Sequence, residues 1–491
     1  RGIVPFVRPR VISFIGECFA PNARLFVFFD RVAVSTFVTP ALGFSSDALP
    51  LAGSPLICNA SGKVEGTFQI PDFRPQLTAR GGTQNVTVPI FRTGDVEFRV
   101  TNEKRNFAEA RLTKVLSASQ YRTEPECRYF SKCGGCSLQH LQHSEQIEFK
   151  KQQLLNSAQR VGLEPENTLD SLVGPQWNYR RRARLAVQRA RDGQFLVGFH
   201  NPGSNRIEPI ASCMVLDKSL DALLMALPSI LNALGADIKI FEIELVAADN
   251  ALAVAVEASR SLFDAELTSV VKALNVVAEM TTQLWWKVSK NGRFSRVDDG
   301  EDGLYFGVKD DIKLSFEPGQ FIQVNDSINR SMIEQMLALV SVENTGVAID
   351  LFCGSGNLSL PLAKQFNQVI GVEGLASLVV AANGNARSNA IDNTQFMVAD
   401  LNDAASLKKV SKIASSIDLI VLDPPRNGAA AIMPWVAKSG TKQIIYISCH
   451  SSTMVRDADF LIRAGYKLKN LGVMDMFPHT AHVESMALFE K

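Results

Sequence analysis

Short apolar runs that end at polar residues repeat along the last third of the chain. These runs cover residues 349–353, 368–373, 395–400, 417–423 and 443–448. Helix-length stretches separate them, and this alternation predicts an α/β domain with a doubly wound, mostly parallel sheet. Ligands of such sheets bind at the carboxyl ends of the strands, so we expect the functional residues at those ends.

The first hundred residues carry short strand-like stretches separated by clusters of Gly, Pro, Ser and Asn. Because 24–29, 63–70 and 95–100 have strand composition, we expect residues 1–102 to form an all-β segment. Apolar positions at helical spacing then predict an amphipathic helix over about 144–161.

Composition narrows the function classes. The chain has 491 residues, 46% of them hydrophobic and 21% charged, which is typical of a soluble globular protein of about three domains. Its 51 basic and 50 acidic residues give a net charge of +1, so nucleic-acid binding requires a local basic patch. We find no apolar run of the ~20 residues that a membrane helix needs, and we expect a cytoplasmic protein.

A strand-to-helix turn in the last third is a candidate cofactor site. Gly354 and Gly356 allow close approach of a ligand, but Ser359 replaces the third glycine of a dinucleotide fingerprint. Glu373 ends the next strand and could accept ribose hydroxyls, and Asp400 could reach an adenine amino group. This pocket, rich in carboxylates and without a pyrophosphate cradle, favours S-adenosylmethionine. The alternative is a set of ordinary turn residues.

Cys449 is the candidate nucleophile, because it ends a buried strand just before a predicted helix. The positive end of the helix dipole should lower the pKa of its thiol. Asp423 also ends a strand, and Glu484 is a candidate base between apolar neighbours. The alternatives are a packed core cysteine and a solvated turn.

A run of arginines is a candidate RNA contact. If residues 177–187 form a strand, Arg180, Arg182 and Arg184 share one face and could bind a phosphate backbone. The alternative is a solvated charged face.

Three of the eight cysteines, Cys127, Cys133 and Cys136, lie close together. Such clustering in a cytoplasmic protein indicates metal ligation rather than disulfides. The spacing alone fits zinc and an iron–sulfur cluster about equally well.

Several motifs in order resemble the S-adenosylmethionine-dependent RNA uracil-5 methyltransferases. The similarity covers residues 103–491 and includes the segments 321–325, 350–357, 422–426, 447–449 and 475–484. The cysteine spacing is similar to that of the iron–sulfur members that modify 23S ribosomal RNA. The resemblance implies that Cys449 adds to C6 of uracil and that Glu484 removes the proton from C5. It also implies a pocket for the cofactor and the target base, lined by Gln323, Phe352, Asn357, Glu373, Asp400 and Asp423.

The resemblance also implies a [4Fe-4S] cluster rather than zinc, with Cys213 as the fourth ligand beside Cys127, Cys133 and Cys136. The cluster is expected to be structural, because methyl transfer to C5 requires no electron. The implied partner is 23S ribosomal RNA, and we expect a monomer. A transfer RNA substrate is the alternative, and an inactive RNA-binding or virion-associated fusion is another.

The N-terminal part departs from the family pattern. Only the last strand of the expected TRAM barrel is recognisable, whereas Pro71, Pro75 and the stretch 91–100 weakly resemble phage virion structural proteins. Because the chain also begins with Arg1 rather than Met, we expect a fused or misassembled reading frame joined near Val100 to Glu103, with a natural fusion as the alternative. Cys18 and Cys58 lie in this part and have no assigned role. The predicted domains are a β-rich segment (1–102), a TRAM remnant (103–122), a central α+β iron–sulfur and RNA-binding region (123–318) and the methyltransferase domain (319–491).

Overall fold

The computed structural model describes most of the chain from residue 118 onwards and parts of the preceding segment. The described residues are 10–16, 24–29, 32–33, 38–52, 54–61, 63–70, 98–102, 107–110, 118–289, 292–309, 311–340, 346–403, 406 and 416–491. Cys18, Pro71, Pro75 and most of the TRAM remnant lie outside them. The contacts divide the chain into two compact units, one formed by Arg1–Pro125, Ser137–Gln153 and His479–Ala481, and the other by the remaining residues.

Strands dominate the described N-terminal residues of the first unit. A three-stranded antiparallel sheet has the order β1-β6-β4, and a second sheet has the order β3-β2-β7-β8 with β5 beside β2. The β-rich prediction for this segment is therefore confirmed where residues are described. The strands are β1 (Arg10–Gly16), β2 (Arg24–Phe29), β3 (Val32–Ala33), β4 (Val38–Pro40), β5 (Leu56–Ile57), β6 (Val64–Ile70), β7 (Phe98–Asn102) and β8 (Phe107–Ala110).

Two large sheets form the second unit. Their strands, together with one hairpin (β17 and β18), are β9 (Asn167–Thr168), β10 (Arg182–Arg189), β11 (Phe195–His200), β12 (Ile207–Pro209), β13 (Ile240–Ala247), β14 (Leu252–Ala258), β15 (Thr282–Val288), β16 (Ser295–Arg296), β17 (Leu304–Gly307), β18 (Lys313–Phe316), β19 (Val347–Leu351), β20 (Gln368–Glu373), β21 (Thr394–Val398), β22 (Leu419–Leu422), β23 (Gln443–Ser448), β24 (Lys467–Met474) and β25 (Glu484–Glu490). The seven-stranded sheet has the order β12-β11-β10-β13-β14-β15-β16 and is antiparallel except between β14 and β15.

The eight-stranded sheet has the order β21-β20-β19-β22-β23-β25-β24-β9. Its strands from β21 to β23 are parallel, whereas β25 pairs antiparallel with both β23 and β24. The α-helices of the described residues are α1 (His143–Gln159), α2 (Asp221–Asn232), α3 (Asp264–Val277), α4 (Asp326–Leu339), α5 (Ser359–Leu362), α6 (Ala376–Ser388), α7 (Met433–Lys438) and α8 (Ser451–Arg463). The predicted α/β class with a mostly parallel sheet is confirmed.

Two hydrophobic clusters bury the two faces of the eight-stranded sheet. Along β23, Ile445 and Ile447 belong to one cluster, whereas Ile444 and Tyr446 belong to the other. Because successive side chains of a strand point to opposite faces, a sheet that is covered on both faces needs apolar residues at every position. This burial explains the continuous apolar runs in the sequence. The polar residues that follow the strands lie together at the carboxyl end of the sheet.

Candidate active site and cysteine cluster

The proposed nucleophile and base lie beside each other at one end of the sheet. Ser448 on β23 pairs with Ser485 on β25, and the Ser485 hydroxyl donates to the Ser448 carbonyl oxygen at 3.3 Å. Cys449 follows Ser448 and Glu484 precedes Ser485, so the two residues flank the last pair of this antiparallel register. The Glu484 charge also acts on the Cys449 thiol. The sheet therefore brings together two residues that are 35 positions apart in the sequence (484 − 449).

The expectation of an acidic Cys449 thiol is wrong. Burial raises the pKa of Cys449 to about 11, and the negative charges of Glu484 and Asp423 add to this effect. Arg426 and the Cys449 backbone N–H lower the pKa but do not compensate. The neighbouring His450 N–H donates instead to the Ser448 hydroxyl at 3.1 Å. One N–H at the start of α8 is thus committed to a side chain rather than to the sulfur.

A tight turn joins β19 to α5. Phe352, Gly354 and Gly356 all have left-handed backbone conformations, with φ values of 66°, 56° and 101°. The N–H groups of Phe352 and Cys353 both donate to the Val372 carbonyl oxygen, at 2.9 and 3.1 Å. A side chain at Gly356 would come within 3.2 Å of Leu360, so glycine fits the turn both in conformation and in space. The turn therefore follows β20 closely and opens at the carboxyl edge of the sheet.

Glu373 organises this edge. Its Oε2 accepts a hydrogen bond from the Gly354 N–H at 3.1 Å, and its Oε1 accepts one from the Leu375 N–H at 3.0 Å. A carboxylate has about four lone-pair sites, so Glu373 can still accept hydroxyl groups. Its backbone carbonyl oxygen accepts the Ala399 N–H, which brings the exposed Asp400 alongside. The two carboxylates that the sequence assigned to the cofactor therefore end neighbouring strands.

Two further carboxyl groups end or approach the central strands. Asp350 is fully buried, its Oδ2 accepts a hydrogen bond from the Ser359 hydroxyl, and its Oδ1 has no hydrogen-bond partner. Burial, reinforced by the charges of Asp423 and Glu373, raises the pKa of Asp350 to about 7. Burial also raises the pKa of Asp423 to about 7. Sequence reasoning gave Asp350 no role, although an acidic residue inside an apolar strand was a visible signal.

Amide side chains surround the remaining residues that are predicted to line the cofactor pocket. Asn357 and Asn329 exchange two hydrogen bonds, of 2.9 and 3.0 Å. Asn325 is fully buried, caps α4 through the Ile328 N–H and donates to the Met476 carbonyl oxygen at 3.2 Å. The half-buried Gln323 lies two residues before this anchor. The pairing of Asn329 with Asn357 and the contact of Asn325 with Met476 join residues far apart in the sequence, so no local pattern indicated them.

The arginine run differs from the expected open face. Arg182 is buried, with an ion pair of 2.7 Å to the buried Glu244 and a 2.5 Å hydrogen bond to the Gln320 carbonyl oxygen. Glu244 also binds Arg184 at 3.2 Å and the Gly319 N–H at 3.0 Å. Expecting Arg182 to face a phosphate is therefore wrong, because its guanidinium group is committed to a turn of the protein.

The flanking arginines are more accessible than Arg182. The Arg184 side chain is 55% exposed on β10, whereas Arg180 precedes the strand and is half-buried. The Arg180 Nε donates to the Arg182 carbonyl oxygen at 2.9 Å. The predicted strand over 177–187 thus begins later, at Arg182.

The three clustered cysteines lie on a loop that is tied to the segment of the fourth. The Gly134 N–H donates to the His200 carbonyl oxygen at 2.9 Å, and a side chain at Gly134 would come within 2.7 Å of that oxygen. The Tyr129 hydroxyl accepts a hydrogen bond from the Ala211 N–H at 3.2 Å, two residues before Cys213. The close approach requires glycine in the loop.

The cysteines also influence one another electrostatically. Burial raises the pKa of Cys133, and Cys127 adds to the shift. Burial raises the pKa of Cys213 to about 11, with smaller contributions from Cys133 and Cys127, and both Cys136 and Cys213 act on Tyr179. Among the described residues, however, no three or more His, Cys, Asp or Glu side chains form a group that could hold a metal ion.

Known proteins match most of the chain. The family described as tRNA (Uracil-5-)-methyltransferase matches residues 142–491. The chain belongs to this uracil-5-methyltransferase family. A relative from Shewanella sediminis, named 23S rRNA (uracil(1939)-C(5))-methyltransferase RlmD, is 38% identical over 397 residues, which cover 80% of the chain and 88% of the relative. A protein of the same name from Pseudomonas fluorescens is 40% identical, with 81% and 85% covered.

A solved structure shares the fold of this family member. It is the Pyrococcus abyssi tRNA (uracil-54, C5)-methyltransferase in complex with S-adenosyl-L-homocysteine, with a TM-score of 0.61 and 22% identity. The match covers 77% of the chain and 87% of the archaeal protein. The family match and the two relatives confirm the family resemblance noted in the sequence. Within the described part of the uracil-5-methyltransferase, no helix is long and apolar enough to cross a membrane.

Proposed function

We propose that this protein transfers a methyl group from S-adenosylmethionine to C5 of a uridine in 23S ribosomal RNA. Family membership supports the reaction class, and the RlmD relatives support the RNA. The observation that carries the mechanism is that Cys449 and Glu484 flank the last pair of β23 and β25, with the Glu484 charge acting on the Cys449 thiol. Methylation of C5 requires a nucleophile and a base at adjacent carbons of one ring, and these two residues supply both.

Cys449 acts first in the proposed mechanism. Its thiol gives its proton to solvent, and the sulfur then forms a bond to C6 of the uracil, which moves electron density to C5 and the C4 oxygen. When bound, S-adenosylmethionine would supply the methyl group for C5 from its sulfonium, and the electron pair of the broken bond would stay on the cofactor sulfur. Glu484 next removes the C5 proton, and the electron pair restores the C5–C6 double bond. The carbon–sulfur bond breaks, which returns the cysteine as a thiolate.

The proposed cofactor site lies at the carboxyl edge of β19, β20 and β21. Its chemistry fits a cationic ligand without phosphates, because carboxyl groups rather than a glycine-rich anion cradle surround the turn. Glu373 and Asp400 would bind the ribose and adenine, and the pocket would be completed by Gln323, Phe352, Asn357 and Asp423. Arg180 and Arg184 remain proposed RNA contacts. The methyltransferase residues are proposed to form a domain from 319 to 491, after a central region from 123 to 318.

Methyl transfer to unmodified RNA tests the proposed reaction and substrate. With labelled S-adenosylmethionine, we expect label in 23S RNA transcripts, none with Cys449→Ala, and a denaturant-stable protein–RNA adduct with Glu484→Gln, because elimination then stalls. Glu490→Gln, on the same strand, serves as the matched control and should leave transfer intact. Label in transfer RNA alone would favour that substrate, and label in neither RNA would refute the proposed function.

We also propose a structural [4Fe-4S] cluster held by Cys127, Cys133, Cys136 and Cys213. Four thiols are the usual ligand set of such a cluster, and the proposal rests on the resemblance of the cysteine spacing to that of the iron–sulfur members of the family. Anaerobically purified protein should contain about four iron and four sulfide ions per chain. Cys213→Ser should lose most of the iron, whereas Cys58→Ser is the matched control. Zinc in place of iron and sulfide would contradict this assignment. With a ribosomal RNA substrate, we further propose a cytoplasmic location.

A further inference from the structure

A buried carboxylate that the proposed mechanism does not use lies on α8. Asp457 is fully buried, and its Oδ2 accepts hydrogen bonds from the Ala429 N–H at 2.6 Å and from the Tyr446 hydroxyl at 2.7 Å. Arg456 binds its Oδ1 at 2.7 Å. Because an unpaired buried charge is costly, these partners and the carboxylate hold one another in a fixed arrangement.

One face of α8 binds the backbone of the loop 426–429. The Thr453 hydroxyl donates to the Arg426 carbonyl oxygen at 3.3 Å, and Arg456 donates to the Asn427 carbonyl oxygen at 2.8 Å. With the Ala429 N–H bound by Asp457, three backbone groups of this short loop contact two turns of one helix. The loop conformation is therefore set by α8 rather than by the loop alone.

Gly428 shows how closely the helix and the loop approach each other. Its φ is +77°, and a side chain there would come within 2.5 Å of an Arg456 nitrogen and 2.6 Å of an Asp457 oxygen. Its N–H donates to the Pro425 carbonyl oxygen at 2.8 Å, which closes the loop on itself. The residues that precede Gly428 are consequently fixed in position as well.

The same elements carry the nucleophile. Cys449 lies between Tyr446, a partner of Asp457 on β23, and Ser451, the first residue of α8. The charged groups that act on the Cys449 thiol are Glu484 on β25 together with Asp423 and Arg426 on the loop after β22. Arg426 is the cation among them, and its backbone is held by Thr453.

We propose that Asp457 is a positioning residue that, with Thr453 and Arg456, fixes the loop 426–429 beside the end of β23 and thereby holds Arg426 near Cys449. This inference rests on the proposed function, in which Cys449 is the nucleophile. Asp457 does not touch the uracil or the cofactor in this scheme. Its role is to hold the loop that carries Arg426, whose positive charge lowers the pKa of the Cys449 thiol, whereas the charges of Glu484 and Asp423 raise it.

The acidity of the Cys449 thiol tests the proposal without RNA. We would measure the rate of iodoacetamide alkylation against pH for the full chain, following the Cys449 peptide by mass spectrometry. Asp457→Asn removes the negative charge that binds Arg456 and the Ala429 N–H, so the loop 426–429 should be released. We expect alkylation at pH 8 to slow by about threefold or more, which corresponds to about half a pKa unit. Arg426→Ala should slow it similarly.

A double-mutant cycle separates positioning from general damage. Asp457→Asn should have little further effect on alkylation in the Arg426→Ala background, because the charge that it positions is already gone. Asp459→Asn, an exposed site on the same helix with an ion pair to Arg463, is the matched control. If Asp457→Asn does not fold, Thr453→Val should give a smaller slowing in the same direction.

Two results would overturn the inference. One is an unchanged pH profile in folded Asp457→Asn protein, and the other is a full additional effect of Asp457→Asn in Arg426→Ala protein. Failure of the proposed function would look different, because the wild-type protein would then methylate no RNA whatever the acidity of its thiol.

Discussion

At the residue scale, the main feature is a nucleophile whose surroundings disfavour its reactive form. Burial and two carboxylates raise the pKa of Cys449, although the chemistry needs a thiolate. The same carboxylates have separate uses in the proposed mechanism, as the base and as part of the ligand pocket. The carboxylate that is proposed as the base therefore raises the pKa of the thiol that is proposed as the nucleophile.

This influence of Glu484 predicts the effect of Glu484→Gln on the thiol of the RNA-free enzyme. Removing the Glu484 charge should lower the pKa of Cys449, so alkylation at pH 8 should become faster, by about two- to tenfold for up to one pKa unit. The same substitution should prevent release of the enzyme from the methylated RNA. Alkylation rates with and without the change would be compared by mass spectrometry, and Glu490→Gln should alter neither property. Slower alkylation would contradict the assigned geometry.

Asp350 predicts a pH dependence of stability. Its pKa of about 7 lies above the usual 3.8, so between these pH values the folded protein holds a proton that the unfolded chain has released. This contribution to the free energy of unfolding is full below about pH 4 and is lost as pH rises to 7. Asp350→Asn should therefore raise the free energy of unfolding more at pH 8 than at pH 4, by up to about 4 kcal/mol for a shift of about three pKa units. Denaturant unfolding at both pH values would measure it, and equal effects would count against the shift.

At the element scale, one ion pair links the seven-stranded sheet to the turn before Gln323. Glu244 and Arg182 bind the Gly319 N–H and the Gln320 carbonyl oxygen, respectively. Arg184 binds the same carboxylate but remains more than half exposed. Neighbouring arginines on one strand thus have different environments, which allows their roles to be separated by substitution.

We predict that substitutions of Arg182 and Arg184 affect two different properties, cofactor binding and RNA binding. Arg182→Lys should loosen the turn at 317–320 and weaken S-adenosylmethionine binding by about three- to tenfold, since one charge-assisted hydrogen bond is worth roughly 1–3 kcal/mol and lysine retains part of it. Arg184→Ala should leave cofactor affinity unchanged but reduce the salt dependence of RNA binding by about one unit of slope. Calorimetry with the cofactor and RNA binding at several salt concentrations would test both, and the reverse pattern would refute this division.

The sequence predicted elements well where burial was continuous and less well where partners were distant. The limits of β20 and β23 match the apolar runs, because both faces of these strands are covered. The strand predicted over residues 177–187 begins at Arg182. Alternation of residues along a strand also cannot show whether an arginine side chain contacts solvent or, as Arg182 does, a buried glutamate. The strand ends of the candidate site were found for a general reason, the edge rule for parallel sheets. Asp457 and Asn329 act through residues remote in the sequence, so local patterns could not reveal them.

At the scale of the whole molecule, the family match and the N-terminal strands occupy different parts of the chain. The family covers residues 142–491, whereas the first eight strands precede residue 111. The predicted domain limits and the monomeric state remain predictions.

We predict that a chain starting at residue 103 retains cofactor binding. The residues proposed to bind S-adenosylmethionine all lie between 323 and 423, in sheets whose strands begin after residue 166. Deletion of residues 1–102 should therefore change the cofactor dissociation constant by less than about twofold, which corresponds to a binding free energy of ~0.4 kcal/mol. Calorimetry on the two chains would decide, and a loss of tenfold or more would show that the N-terminal segment contributes to the site.

The pairing of Ser448 with Ser485 has a consequence for the thermal behaviour of the enzyme. Cys449 and Glu484 lie just beyond this last rung, so fraying of a single pair of residues separates them while the sheet stays intact. Local openings of this kind need less free energy than global unfolding. Methyltransferase activity should then decline on warming before the melting transition. Hydrogen exchange of the backbone amides of Ser448 and Ser485 would measure the fraction of molecules in which this pair is open.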